Sequence, residues 1–108
     1  MDLTLDLSET GLAMFFKPYQ IASLDLLWNS EEALISRQVW EQVNEQLPGT
    51  ISRASIINFL NASVEYGLLD YVETTGKGGY RRNYISKLSK VEASTYLSEK
   101  VKELLLTL

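Results

Sequence analysis

At 108 residues the chain has room for one domain and not for two, and a domain of this length buries roughly 65% of the surface its unfolded chain exposes. It contains neither Cys nor His, which excludes a disulfide framework, a thiolate or imidazole metal site, a cysteine nucleophile and the most frequent general base. Ten cations oppose fourteen anions for a net charge of -4. The deficit is uneven: residues 1–50 hold two Lys or Arg against eight Asp or Glu, whereas residues 51–90 hold six against three.

No Gly-rich phosphate loop or paired-carboxylate constellation occurs, so no enzyme activity, cofactor or metal is expected. No run approaches the ~18–20 apolar residues of a membrane span, and the start of the chain lacks a secretory pattern, so a cytoplasmic protein without a membrane partner is expected.

In chain order, Leu3, Leu5 and Leu7 alternate with Thr4, Asp6 and Ser8, which predicts a strand with one apolar face, followed by a turn from Glu9 to Gly11. Such a strand pairs across a dimer or frays as a terminal arm. Lys17 and Pro18 open a helix, with proline at the first helical position and Tyr19, Ile21, Ala22, Leu24, Leu27 and Trp28 on its buried side. Asn29 to Glu32 break it, and Ala33 to Ile35 suit a short strand.

Ser36 is placed as the cap of a helix running to Leu47, with Val39, Trp40, Val43 and Leu47 on one face. Pro48 excludes Leu47 from helical dihedrals and Gly49 permits a positive φ, so a turn follows. Ser52 caps the next helix, Arg53 to Tyr66, whose apolar stripe is Ile56, Ile57, Leu60 and Val64, and Gly67 stops it. Steps of about 100° per residue put Ala54, Ser55, Asn58, Asn61, Ala62 and Glu65 on the opposite face. Asn there suits an adenine edge, Ser a base or phosphate, Ala a thymine methyl, and Arg53 a phosphate. Any outward helix face of a globular domain is polar too.

Leu68 to Thr74 and Tyr80 to Lys87 alternate as strands around glycines 76, 78 and 79, which predicts a hairpin. Lys77 at its tip, with Arg81 and Arg82, presents three cations to a phosphate backbone; cations also protect an edge hairpin from aggregation. Ser89 and Glu92 match a capping box, and the helix they start carries Leu97, Val101, Leu104 and Leu108 on one stripe, widened by Leu105 and Leu106. Either that stripe packs on a second chain as a dimerisation helix, or it folds back on its own domain.

Two helices at a tight turn, a strand, a glycine-rich tip and a return strand outline a winged helix-turn-helix: α+β, mostly helical, with a C-terminal helix. Residues 1–88 form the winged-helix part with its N-terminal strand or arm, and residues 89–108 the dimerisation helix of the same domain. The expected function is sequence-specific recognition of double-stranded DNA by a homodimeric transcriptional regulator. Arg53, Ala54, Ser55, Asn58 and Asn61 would lie in the major groove, with Lys77, Arg81 and Arg82 on the backbone. A winged-helix module that docks a protein without touching DNA is the alternative, favoured by the acidic balance.

Leu26, Leu27 and Trp28 closing a helix, then Val39, Val43 and Asn44, then Ser55, Ile56, Phe59, Leu60 and Asn61 followed by Val64, Glu65, Gly67, Leu68 and Leu69 together resemble the penicillinase-repressor group of winged-helix transcription regulators. The likeness covers residues 20–88. It implies that Ala54, Ser55 and Asn58 face an operator and that the segment from Lys77 to Arg82 follows the backbone. Ala62 and Tyr66 stand where members of the group tend to carry cations, and the group's dimerisation part is usually longer than the helix after Ser89.

Overall fold

The computed structural model describes residues 4–76 and 78–107. It is an α+β fold of four helices and a three-stranded antiparallel sheet. A 3-10 turn, Gly11–Met14, leads into α1 (Pro18–Trp28), followed by β1 (Leu34–Ile35), α2 (Ser36–Gln46), α3 (Arg53–Glu65), β2 (Asp70–Gly76), β3 (Gly79–Ile85) and α4 (Lys90–Leu105). The sheet order is β1-β3-β2, and Leu34 pairs with Tyr84 while Tyr71 pairs with Tyr84 from the other side. Among the described residues no helix is long and apolar enough to cross a membrane.

One core joins these elements. Leu24 and Leu27 of α1, Val39 and Val43 of α2, Ile56, Phe59 and Leu60 of α3, Leu68, Leu69, Tyr84, and Ala93 and Leu97 of α4 are all buried. Each large aliphatic member stabilises the fold by roughly 1.5–3 kcal/mol relative to leaving it in water. Phe59 stands edge-on to Phe16 at 5.7 Å and to Tyr19 at 6.3 Å, an arrangement aromatic quadrupoles favour. The segment before α1 is thereby fastened to α3.

Four local expectations are corrected. Residues 4–8 form no strand: Asp6 accepts from the Ser8 amide at 3.0 Å and hydroxyl at 2.6 Å, and its own amide donates to the Met14 carbonyl at 2.7 Å. An Asp that can satisfy itself locally competes with pairing, and both sheet edges lie elsewhere. Leu3 lies outside the described residues. Ser36 is the first helical residue of α2 and not its cap; Ile35 precedes it, with the Ile35 amide donating to Gln38 Oε1 at 3.0 Å. The stripe of α3 is turned so that Phe59 and Ser63 are buried, while Ile57 and Val64 are only half-buried. Ser63 tolerates burial because its hydroxyl donates to the Phe59 carbonyl at 2.8 Å. Finally, the hairpin strands start two residues later than expected on the first side, because Leu68 and Leu69 turn into the core.

Other signals are seen where the sequence puts them. Ser52 caps α3 by accepting from the Ser55 amide at 3.1 Å. Ser89 and Glu92 form a reciprocal box on α4, with bonds of 3.1 and 3.0 Å. Gly49 has φ +89 in the turn between α2 and α3. That turn is held by Asn44, whose Oδ1 accepts from the Ile51 amide at 2.7 Å, and by Trp40, whose indole donates to the Ile51 carbonyl at 2.8 Å.

Candidate nucleic-acid interface

α3 reaches the surface along a narrow strip. Arg53, Ala54, Asn58 and Glu65 are exposed, and Ser55 is half-buried beside its cap, the two serine hydroxyls 2.9 Å apart. The Arg53 guanidinium lies 5.7 Å from the centre of the Trp40 ring, which positions it at the start of the helix without withdrawing its charge from solvent. Asn58 makes no side-chain hydrogen bond among the described residues.

Asn61 has a different role from the one its outward register suggests. Its Oδ1 accepts from the Tyr84 phenol at 2.6 Å and from Arg82 Nη1 at 3.1 Å, both on β3. Arg82 is half-buried, and its guanidinium sits 4.0 Å above the Tyr71 ring. These two residues, both expected to touch DNA, brace the hairpin against α3. Burial pushes the Tyr84 phenol above its ordinary pKa, with the Arg82 charge opposing it. The signal missed in the sequence is long-range: nothing near Asn61 announces partners some twenty residues away.

The register sorts the rest of the hairpin. Tyr71 opposite Tyr84, Glu73 opposite Arg82 and Thr75 opposite Tyr80 share the face that meets α3, while Arg81 opposite Thr74 and Asn83 opposite Val72 lie on the other. Arg81 is exposed and Lys77 lies outside the described residues. Tyr80 is 79% exposed at the mouth of the hairpin. The strand pattern alone does not mark it, although an aromatic ring next to a glycine-rich tip has little core to enter. At the base, Lys87 pairs with Asp70 at 2.8 Å, and the Lys87 ammonium holds the Asp70 carboxyl below its ordinary value.

On its other flank α3 faces the segment before α1 across a groove of about 1170 Å³. Ser55, Asn58 and Ala62 line one wall; Asp6, Glu9 and Lys17 stand across from them. Two carboxylates therefore neighbour the polar strip. A smaller cleft of about 420 Å³ separates the same segment from α4. Its lining includes Leu5, Met14, Phe15, Val101 and Leu105. Leu97 is buried in the chain's own core and Val101 half-buried, whereas Leu104, Leu105 and Leu106 are 61, 67 and 75% exposed. Leu108 lies outside the described residues. The first half of α4 folds back, and the second half is left uncovered.

Among the described residues no three His, Cys, Asp or Glu side chains come together as a metal site. The chain matches no family model and no curated protein.

Proposed function

We propose that the protein is a transcriptional regulator that binds double-stranded DNA through a winged helix-turn-helix, with α3 in the major groove and the β2–β3 hairpin as its wing along the backbone. The observation that carries this reading is the bracing of the hairpin on α3 through Asn61, Arg82 and Tyr84. It holds a helix and a hairpin side by side while Arg53, Ala54, Ser55 and Asn58 keep clear of the core. In this reading Asn58 and Ser55 contact base edges, and Arg53, Arg81 and Lys77 contact phosphates; Arg82 and Asn61 support them from behind. The resemblance of the residues between Leu26 and Leu69 to the penicillinase-repressor group points to a repressor-like protein of the cytoplasm.

The exposed leucines of α4, continuous with Leu5, Met14 and Phe15, suit a homodimer, since an isologous contact would cover both copies at once. Two copies would then present two α3 helices about one helical turn of DNA apart, on a pseudo-palindromic site.

A specific observation favours a second reading, a winged-helix module that docks a protein. Asp6, Glu9 and Glu65 place carboxylates around the strip where phosphates would arrive. A salt titration of binding to random duplex separates the two. The regulator loses affinity linearly in log salt, and Arg81→Ala reduces that slope by roughly 0.9. A docking module shows no duplex binding even at low salt.

A further inference from the structure

We propose that the groove between α3 and the segment of residues 4–20 is a binding site for a small lipophilic cation. Its volume, about 1170 Å³, is slightly above the ~300–1,000 Å³ of typical ligand clefts. The floor is aromatic: Phe59 and Phe16 are each 5% exposed and packed edge to face. Half-buried Tyr19 and Tyr66 continue the aromatic surface up the sides. Aromatic faces carry partial negative charge and attract a cation whose own body is apolar.

The charges at the rim select the same ligand. Asp6 and Glu9 contribute two carboxylates and Lys17 a single ammonium. Ser8 donates both its amide and its hydroxyl to Asp6, and those bonds hold the carboxyl below its ordinary value and keep it ionised. An apolar anion would fit the floor and be repelled at the rim. A hydrated metal ion would meet the rim and gain nothing from the floor. A planar or globular monocation, such as a quaternary ammonium bearing aromatic groups, satisfies both.

Ser55 and Asn58 line this groove as well, so an occupant would share ground with the face proposed to meet DNA. Competition between ligand and duplex would follow by linkage. That clause rests on the DNA-binding reading; the ligand site does not.

Two probes of nearly equal size and opposite charge, tetraphenylphosphonium and tetraphenylborate, test the site by titration calorimetry on the full chain without DNA. Phosphonium is expected to bind at least tenfold more tightly than borate, and the Asp6→Asn/Glu9→Gln double variant should erase the preference. Ala62→Trp, which fills the groove from the α3 wall, should abolish phosphonium binding. Far-ultraviolet circular dichroism and the melting midpoint report whether each variant is folded. Ring-proton shifts of Tyr19 and Tyr66 in wild-type protein, which need no variant, should move with phosphonium. Equal or tighter binding of borate, no binding of phosphonium at 1 mM, or tyrosine resonances that stay still would overturn the site. Phosphonium binding that leaves a bound duplex in place would keep the site and remove only the competition. A wild-type chain that never binds duplex would remove the regulator reading and leave the cation result to stand by itself.

Discussion

Asn58 and Asn61 lie one turn apart on α3, carry the same amide, and have opposite surroundings. Asn58 is exposed and makes no side-chain hydrogen bond among the described residues, so Asn58→Ala should change stability by less than about 0.5 kcal/mol. If it pairs with a base edge, the same change relaxes base preference by roughly 1–3 kcal/mol, measured by competition between operator variants. Asn61 accepts from Tyr84 and Arg82. Asn61→Ala leaves a buried phenol without its acceptor and should cost about 1–3 kcal/mol in urea unfolding. Equal stability of the two variants would contradict the bracing role. The Tyr84 phenol also predicts a pH dependence. Its folded pKa is raised above 10.0, so the folded state holds this proton more tightly than the unfolded chain does. The resulting stabilisation is complete below pH 10 and is lost as pH rises through the folded value. Tyr84→Phe should flatten the alkaline end of a stability profile, which denaturation between pH 8 and 12 would show.

At the scale of elements, the junction of α3 and α4 depends on one backbone position. Gly67 has φ +83, and a Cβ built there would lie 2.7 Å from the Tyr96 hydroxyl, which itself donates to the Tyr66 carbonyl at 2.7 Å. Gly67→Ala should therefore destabilise by more than the ~1 kcal/mol of a left-handed alanine. Adding Tyr96→Phe should recover part of the loss by removing the clashing oxygen; a strictly additive double variant in thermal unfolding would refute the contact. This glycine was legible as a helix stop because a stop is a local event. So were the Ser52 cap, the box of Ser89 and Glu92, and the break at Pro48 and Gly49. Ser36 is not the cap because Gln38 reaches back to the Ile35 amide and satisfies the same helix end. The inward turn of Phe59 depends on Phe16, more than forty residues distant, and the engagement of Asn61 on a strand not yet paired when α3 is read alone. The alternation of Leu5 and Leu7 suggested a strand because periodicity is blind to whether an edge is available. The positions lost in the candidate site are those whose partners lie far along the chain.

Over the whole molecule, two features set expectations, and the uneven charge is the first. Asp6 and Glu9 line the same groove as Ser55 and Asn58, and their repulsion of an arriving phosphate is screened over a Debye length of about 8 Å in physiological salt. Neutralising both should tighten duplex binding roughly threefold to tenfold at low salt and less at high salt; weaker binding would mean that the carboxylates assist. The uncovered half of α4 is the other. If the proposed homodimer forms through α4, Leu105→Glu should convert it to a monomer in light scattering coupled to size exclusion; a dimer of unchanged mass would move the contact elsewhere, and a monomeric wild-type chain would remove the homodimer. The Ile51 carbonyl, gripped by the indole of Trp40 and the side-chain amide of Asn44, bears on how such a molecule engages any partner. Because that grip fixes the angle between α2 and α3 before an encounter, little conformational entropy remains to be lost there on docking. Adjustment of fit falls instead to the hairpin mouth and the segment ahead of α1. Discrimination between partners should accordingly show up in dissociation rates more than in a slow isomerisation after contact.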